Sequence, residues 1–278
     1  MLKAKLISTL RAFSELCERE GLRWYMAFGS ALGAVRHGGM IPWDDDIDVY
    51  MPREDVQRLI ALEAPKDYEI LHFSRRPDLP FTYVKFCDGS STIWEQRKYR
   101  VITGVFIDVF PLDEVSKEEA SELRKSFTDS LIRHKRSIRR IGFKAWMSGS
   151  VHDKLAAIQD LLYYRHIKGR TYRRLLETDR ALAAISRNGG DRYIIYDNIY
   201  PDNKVIYEKS LFSSYTEASF EDIPVRLPSG NHQLLTQIYG DYMTPPPPEK
   251  RVSGHHNFYT DLSRRLTVSE VLSEMRVK

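Results

Sequence analysis

The chain has 278 residues, and its apolar and charged fractions of 42% and 29% are ordinary for a globular protein that buries a sizeable core. Its net charge of +4 is small against 42 basic and 38 acidic residues, so overall charge favours no class of partner. Two cysteines without a CxxC pattern argue against a disulfide framework and a zinc site, and they favour a reducing compartment.

The N-terminal residues do not resemble a signal peptide, because Arg11 and Glu15 interrupt the apolar pattern. No segment approaches the roughly 18 apolar residues that a membrane span requires. We therefore expect a cytoplasmic protein.

The first part of the chain alternates helical and extended patterns. Apolar residues at three- and four-residue spacing predict an amphipathic helix that ends near Gly21, and alternating residues predict strands. Helices are expected over 2–19, 30–37 and 55–62, and strands over 23–28 and 47–51. A turn at Gly29 and Ser30 joins the first strand to the second helix.

The rest of the chain adds strands, then basic helices, then a mixed tail. Strands are expected over 68–73, 81–87 and 104–110, and basic helices over 117–140 and 152–186. The sequence thus predicts a mixed α/β (α+β) fold, a sheet core flanked by helices, in one catalytic domain over 1–278. Its parts are a core of about 1–115, a helical basic insertion of about 116–190, and a C-terminal part of about 191–278 that returns to the site.

The densest charge lies between Phe28 and Pro52, where four aspartates occupy five positions: Asp44, Asp45, Asp46 and Asp48. Such a cluster repels itself unless a cation binds there, and a divalent metal explains it most economically. Alternation along the strand places Asp46 and Asp48 on one face. We expect Asp44 and Asp45 to shape the loop. The alternatives are a solvated turn, which Trp43 and Ile47 disfavour, and a calcium loop, for which EF-hand spacing is absent.

Two further features extend this site. Asp108 interrupts an apolar strand, where a lone carboxylate is costly unless it is paired, protonated or bound to metal. Gly29 and Ser30 open a helix whose N-terminus suits a phosphate, although Gly-Ser pairs also occur in ordinary turns. The order Gly-Ser, Asp-x-Asp, and an Asp on a later strand is that of the nucleotidyltransferase fold, in which carboxylates hold metals for displacement at phosphorus.

The block GSALGAVRHGGMIPWDDDIDVYMPRED at 29–55 resembles the signature of the LicD family of phosphotransferases, which includes fukutin and fukutin-related protein. FIDVFPL at 106–112, YGD at 239–241 and Lys250-Arg251 agree with it. The resemblance is dense over 20–115, recurs over 239–256, and is indistinct in the basic middle.

The resemblance implies transfer of a phospho-alcohol, above all phosphocholine, from a CDP-linked donor such as CDP-choline to a hydroxyl of a glycan. A teichoic acid or lipopolysaccharide sugar would accept it, and CMP would be released. Ribitol phosphate, glycerol phosphate and phosphoethanolamine are the alternative groups.

The same resemblance assigns residue roles. Catalytic and metal-binding roles fall to Asp46, Asp48 and Asp108, which would hold one or two Mg²⁺ ions, or Mn²⁺ in their place. Donor and phosphate binding would involve Gly29, Ser30, Arg36, His37, Trp43, Lys85 and Arg251. For Lys85 the alternative is a structural ion pair.

An aromatic cage would suit a choline head group. The candidates are Trp43, Trp94, Tyr99 and Trp146, each of which could equally be a core residue. His255 and His256 are expected at the edge of the site.

The basic helices have three interpretations: binding of an anionic, lipid-linked acceptor, association with the inner face of an anionic membrane, or a solvated face with salt bridges. An RNA-directed nucleotidyltransferase or a nucleic-acid-binding protein is an alternative function. We expect no nucleic acid, because the sequence has no RNA-recognition motif and no regular aromatic interleaving. A catalytically inactive scaffold is disfavoured by the intact carboxylate triad.

Overall fold

The structure is a computed structural model and describes residues 1–139, 151–196, 200–254 and 256–277. The helices are α1 (Leu2–Glu20), α2 (Phe28–His37), α3 (Arg53–Ala61), α4 (Ala120–Ile138), α5 (Val151–Arg187), α6 (Asp202–Val205), α7 (Asn231–Tyr239) and α8 (Val268–Val277). The strands are β1 (Tyr25–Met26), β2 (Asp48–Pro52), β3 (Tyr68–Leu71), β4 (Val84–Asp88), β5 (Thr92–Trp94), β6 (Phe106–Val115), β7 (Arg192–Ile194), β8 (Ile206–Glu208), β9 (Tyr215–Phe220), β10 (Ile223–Pro228) and β11 (Tyr259–Asp261).

The central sheet is mixed, with the order β1-β2-β6-β4-β3. β2 and β6 run parallel, whereas β1, β3 and β4 each pair antiparallel with their neighbours. β7 pairs with the second half of β6, and β8 pairs with β7. This combination of helices and a mixed sheet confirms the predicted α+β fold class.

Period-two alternation buries one face of the two central strands. Ile47 and Val49 around β2, and Ile107 and Val109 on β6, have no exposed surface. They pack with α1, whose Phe13 contacts Phe86 of β4 edge-to-face at 5.6 Å between ring centroids. The opposite face carries Asp48 and Asp108, so the buried apolar face sets the direction of the acidic side chains.

Two element boundaries differ from the sequence prediction near the acidic stretch. Helix α2 begins at Phe28, so Gly29 and Ser30 lie in its first turn and not in a turn before it. Ala27 caps this helix in an extended conformation, and Phe28 has a left-handed φ of 43° that turns the chain sharply from β1 into α2. Strand β2 begins at Asp48, so Asp46 lies in the extended segment before the strand.

Helices α4 and α5 coincide closely with the two predicted basic helices, and both contribute to an apolar cluster with β6 and β7. A buried ion-pair group joins this layer to the sheet. Arg53 of α3 donates to both carboxylate oxygens of Asp113 at 2.7 and 2.6 Å, and to Asp179 of α5 at 3.0 Å. No helix in the described part of the chain is both long and apolar enough to span a membrane.

Candidate active site

A cleft of about 960 Å³ opens beside the acidic stretch. Its walls come from α2, the segment before β2, β6 and the C-terminal part of the chain. Of the residues predicted from sequence, those lining it are Gly29, Arg36, Trp43, Asp46, Asp48 and Asp108. The others, Ser30, His37, Lys85 and Arg251, contact these lining residues or follow them in the chain. The structure thus brings most of the predicted site together.

Three charged residues form a row across three neighbouring strands. Asp48 of β2 and Asp108 of β6 are direct cross-strand partners, and Asp108 is also the partner of Lys85 on β4. The Lys85 ammonium donates to the two carboxylate oxygens of Asp108 at 2.9 and 3.1 Å. Because the sheet register creates this row, the three side chains converge although 60 residues separate the two aspartates in the sequence.

The Lys85 side chain is completely buried and surrounded by acidic and aromatic groups. Glu95 lies 3.4 Å from the ammonium, and the ring centroid of Phe106 lies 3.1 Å from it. Burial alone lowers the pKa of Lys85, but Asp108 and Glu95 outweigh burial, and the net shift is upward. The geometry therefore favours the structural ion pair, while the predicted phosphate contact of Lys85 stays a prediction.

The charged form of Asp48 is disfavoured by its surroundings, whereas that of Lys85 is favoured. Burial is the largest cause that raises its pKa well above the usual range, and Asp46, Asp108 and Asp44 add to the effect. Lys85 opposes them but does not reverse the shift. Burial and the neighbouring carboxylates therefore disfavour the ionised form of Asp48.

Three of the four clustered aspartates converge directly. Carboxylate oxygens of Asp44, Asp45 and Asp46 lie within 4.8 Å of one another, and all three side chains are half-buried. Hard divalent cations such as Mg²⁺ prefer oxygen ligands, so this donor set and the neighbouring Asp48 fit such an ion. The geometry does not separate Asp44 and Asp45 from Asp46 as the sequence predicted, because all three precede the strand and no alternation orients them.

The start of α2 is packed tightly against this cluster. A Cβ atom on Gly29 would lie 2.8 Å from a carboxylate oxygen of Asp44, so only glycine allows this approach. The Ser30 hydroxyl accepts a hydrogen bond from the backbone N–H of Asp48 at 2.9 Å. The Ser30 side chain therefore positions β2, and a phosphate at this helix would be bound by backbone N–H groups.

The C-terminal part of the chain contacts the cleft at several points. Arg36 donates to the carbonyl of Tyr242 at 2.6 Å, and Ser253 donates to Asp45 at 2.6 Å. The Arg251 guanidinium lies 5.4 Å from the ring centroid of Trp43, and His37 meets the same ring edge-to-face at 6.0 Å. Arg251 and His37 thus both contact Trp43 at the edge of the site.

Comparison with known proteins relates part of this chain to a family. Residues 21–146 match the model of the LicD/FKTN/FKRP nucleotidyltransferase domain. The chain carries a LicD-family domain. Lipopolysaccharide cholinephosphotransferase LicD of Haemophilus influenzae is 28% identical over 262 residues, which cover 90% of this chain and 92% of that protein. The resemblance found in the sequence is thus confirmed.

Two further relatives match shorter segments. Human ribitol 5-phosphate transferase FKRP is 45% identical over 51 residues, 18% of this chain and 10% of FKRP. Mannosyltransferase regulator 4 of Saccharomyces cerevisiae is 26% identical over 136 residues, 46% of this chain and 11% of that protein.

The three sequence blocks that resemble the LicD family meet at one place in the structure. The block at 29–55 supplies the acidic segment, FIDVFPL supplies Asp108 on β6, and YGD lies at the end of α7. Tyr239 and Asp241 of this last block line the cleft, and so does His256. His255 lies outside the described residues.

The aromatic candidates for a head-group cage that lie in the described residues do not come together. Trp94 and Tyr99 are buried in the structure, and the indole N–H of Trp94 donates to the Tyr99 carbonyl at 2.6 Å. Neither residue lines the cleft. Trp146 lies outside the described residues. Of the four, Trp43 alone is seen at the cleft, with Arg251 over its ring.

Sequence reasoning missed other residues of the cleft. Aromatic residues from distant segments line it, namely Phe28, Tyr83, Phe110, Tyr200 and Tyr239, and Glu95 lies beside Lys85. Tyr239 could have been found from the YGD block. Tyr83, Tyr200 and Glu95 stand in no motif, so nothing in the sequence distinguished them from core or surface residues.

Among the described basic residues of α4 and α5, Arg124 is buried and most of the others are exposed. Arg124 donates to the carbonyls of Ile195 and Tyr200, and pairs with Asp202. Lys125 is exposed and pairs with Asp129 along the helix. Lys135 lines the cleft. Part of the positive charge therefore stabilises the fold, and part faces the site.

Proposed function

We propose that this chain transfers a phospho-alcohol, above all phosphocholine, from a CDP-linked donor to a hydroxyl of a glycan and releases CMP. The observation that carries the proposal is the pair of Asp48 and Asp108 on the wall of one cleft, with further carboxylates beside it and the buried Lys85 bound to Asp108. The near full-length similarity to a lipopolysaccharide cholinephosphotransferase supports the transferred group and the glycan acceptor.

The proposed donor site combines a helix N-terminus with acidic and basic side chains. Backbone N–H groups at Gly29 and Ser30 would bind the diphosphate, and Arg36 lines the same cleft. Asp46, Asp48 and Asp108, with Asp44 and Asp45 beside them, would hold one or two Mg²⁺ or Mn²⁺ ions. Such an ion neutralises phosphate charge when bound, which makes the acidic wall compatible with an anionic donor.

The proposed reaction is an in-line displacement at the phosphorus that carries the alcohol. The acceptor oxygen forms the new bond to phosphorus, the bond from phosphorus to the CMP oxygen breaks, and CMP leaves. Asp108 accepts the proton of the attacking hydroxyl and later releases it to water. The two hydrogen bonds from Lys85 hold the Asp108 carboxylate in place and favour its ionised form before the attack.

The acceptor and the location form the second half of the proposal. We propose a lipid-linked glycan, such as a lipopolysaccharide or teichoic acid precursor, reached from the cytoplasmic side at the membrane surface. Lys135 at the cleft, and other basic residues of α4 and α5, would attract an anionic acceptor or lipid surface. Cosedimentation with vesicles containing anionic lipid should exceed that with neutral vesicles, and equal binding would contradict the membrane part.

The decisive experiment follows CMP release. The protein, first treated with chelator, is incubated with CDP-choline, a glycan acceptor, and Mg²⁺ or Mn²⁺. CMP should appear with metal and not without it. Asp46→Asn should abolish release, whereas Asp222→Asn, which removes a surface carboxylate paired with Arg11, should not.

Two results would contradict the proposal. One is the absence of turnover with CDP-choline, CDP-ethanolamine, CDP-ribitol and CDP-glycerol alike. The other is addition of nucleotides from ATP or CTP to RNA, which would favour the RNA-directed alternative.

A further inference from the structure

An aromatic row lies beside the charged row on the same face of the sheet. Because side chains alternate along a strand, residues two positions apart share a face. Moving two positions along β2, β6 and the strand end before β4 converts the charged residues into aromatic ones: Asp48 to Tyr50, Asp108 to Phe110, Lys85 to Tyr83. Tyr50 and Phe110 are cross-strand partners, and the ring centroids of Tyr83 and Phe110 are 4.7 Å apart.

Two further aromatic rings, those of Phe28 and Tyr200, extend this row into the cleft. Phe28, the first residue of α2, meets Phe110 edge-to-face at 5.3 Å and Tyr200 in a stacked arrangement at 5.6 Å. Tyr50 is buried, and its hydroxyl lies 3.1 Å from that of Tyr207, so its ring supports the aromatic row from the protein interior. Rings from four separate segments thus meet at one end of the cleft.

Tyr239 closes this end of the cleft from α7. Its side chain is 36% exposed, and its hydroxyl bonds to Tyr200. Burial, then Tyr200, then Asp48 raise the pKa of Tyr239, so the hydroxyl stays protonated beside the carboxylates. The ring of Tyr239 therefore lies close to both the aromatic row and the acidic row.

We propose that Phe28, Tyr83, Phe110, Tyr200 and Tyr239 form the subsite for the alcohol head group, and that these rings select a trimethylammonium over a primary ammonium or a polyol. The proposal rests on the proposed function and adds the residues that recognise the head group. Two residues of a strand span about 7 Å, a distance compatible with the short O–C–C–N chain that separates phosphorus from the trimethylammonium in phosphocholine.

The chemistry of the walls favours this head group over the alternatives. A quaternary ammonium has no N–H to donate, and aromatic faces stabilise it through their negative quadrupole. A polyol such as ribitol would lose hydrogen bonds to water against these rings. The same sheet face already holds one cation in this way, because Lys85 lies 3.1 Å from the ring centroid of Phe106 and 5.3 Å from that of Tyr83.

Trp43 is less suited to this role than the sequence implied. Arg251 lies over its ring and hydrogen-bonds to a neutral group, the carbonyl of Pro246, so its charge would repel a second cation. Tyr83 differs, because Asp108 and Glu95 neutralise the Lys85 ammonium near its ring. The aromatic pocket is therefore assigned to segments that the sequence did not connect.

The test compares nucleotide affinities of matched variants by titration calorimetry in Mg²⁺ without acceptor. Tyr239→Leu and Tyr83→Leu should each weaken CDP-choline binding about tenfold, as loss of a desolvated cation–π contact predicts, while CMP affinity changes less than about twofold. Tyr239→Phe retains the ring and should bind like the wild type. Tyr215→Leu removes a tyrosine on β9 that is outside the cleft and has Arg226 over its ring, so no affinity should change.

Circular dichroism and thermal unfolding check that each variant is folded. Because Tyr83 and Tyr239 lie in separate segments, either leucine variant tests the subsite if the other does not fold. Equal weakening of CDP-choline and CMP would overturn the head-group subsite, and so would wild-type affinity for CDP-ethanolamine or CDP-ribitol equal to that for CDP-choline. If CMP is released from CDP-choline but the leucine variants keep the wild-type ratio of CDP-choline to CMP affinity, the subsite is refuted and the proposed function stands. If no CDP-alcohol binds or turns over, the proposed function fails with it.

Discussion

Neutralising the two partner aspartates of the charged row should have different effects on stability and the same effect on turnover. Asp108→Asn removes the carboxylate that accepts both hydrogen bonds from the buried Lys85 ammonium. Asp48→Asn removes a carboxylate whose pKa is raised by burial and by Asp46, Asp108 and Asp44. Both variants should lose CMP release, because each removes a proposed metal ligand.

The magnitudes follow from the environment of each carboxylate. Removing one partner of a buried ion pair costs about 3–5 kcal/mol, and we expect the lower end for Asp108→Asn, because Glu95 remains 3.4 Å from Lys85. A carboxylate with a raised pKa destabilises the folded state above its unfolded pKa, so its cost is present at neutral pH. Asp48→Asn should therefore leave the free energy of unfolding unchanged or raise it.

Urea unfolding at pH 7, followed by tryptophan fluorescence with chelator present, measures both variants against the wild type. Mg²⁺ should raise the urea midpoint of the wild type more than that of Asp48→Asn, because binding to the folded state stabilises it. A loss of stability in Asp48→Asn as large as that in Asp108→Asn would refute the argument from charge repulsion. Wild-type turnover in either variant would remove that aspartate from the metal site.

Three further predictions test packing and charge elsewhere. Gly29→Ala should weaken Mg²⁺-dependent turnover without loss of stability, since the new Cβ displaces Asp44 while alanine favours the helix; Ser8→Ala on α1 is the control, and full activity would contradict the close approach. Arg53→Leu should lower the free energy of unfolding by about 3–5 kcal/mol in urea, and adding Asp113→Leu should recover much of it; no recovery would contradict a buried-charge penalty. Burial lowers the pKa of His72 from 6.5 to about 4, so acidification from pH 6.5 to 4 should reduce stability by up to about 3 kcal/mol, a loss that His72→Gln should lessen; identical pH profiles would contradict it.

The sequence identified the elements and residues whose positions follow from local periodicity. Spacing of three and four residues located α1 and the two long basic helices, and alternation placed Asp48 on the face opposite Ile47 and Val49. It also indicated that Asp108 belongs to the site, because a lone carboxylate in an apolar strand needs a partner. These predictions depend on neighbours in the chain, which the sequence displays directly.

The loop and side-chain partners could not be predicted in this way. Asp44, Asp45 and Asp46 precede the strand, so no repeat oriented their carboxylates, and the expected division of roles between them stays a prediction. Lys85 was compatible with a phosphate contact or an ion pair. The cross-strand register with Asp108 decided its partner, because that register depends on pairing between strands 23 residues apart.

The sequence alone therefore determined the α+β class, the acidic stretch that carries the site, and its resemblance to the LicD family. The tertiary structure decided which aromatic rings surround the cleft. Phe110 and Tyr239 lie in blocks that resemble the family, but Tyr83 and Tyr200 do not. Phe28 stacks on Tyr200 of a distant segment, as Ser253 meets Asp45 across 208 positions. Packing of distant segments, and not local pattern, sets these neighbours, because a buried ring is stabilised by whatever surface the complete fold brings against it.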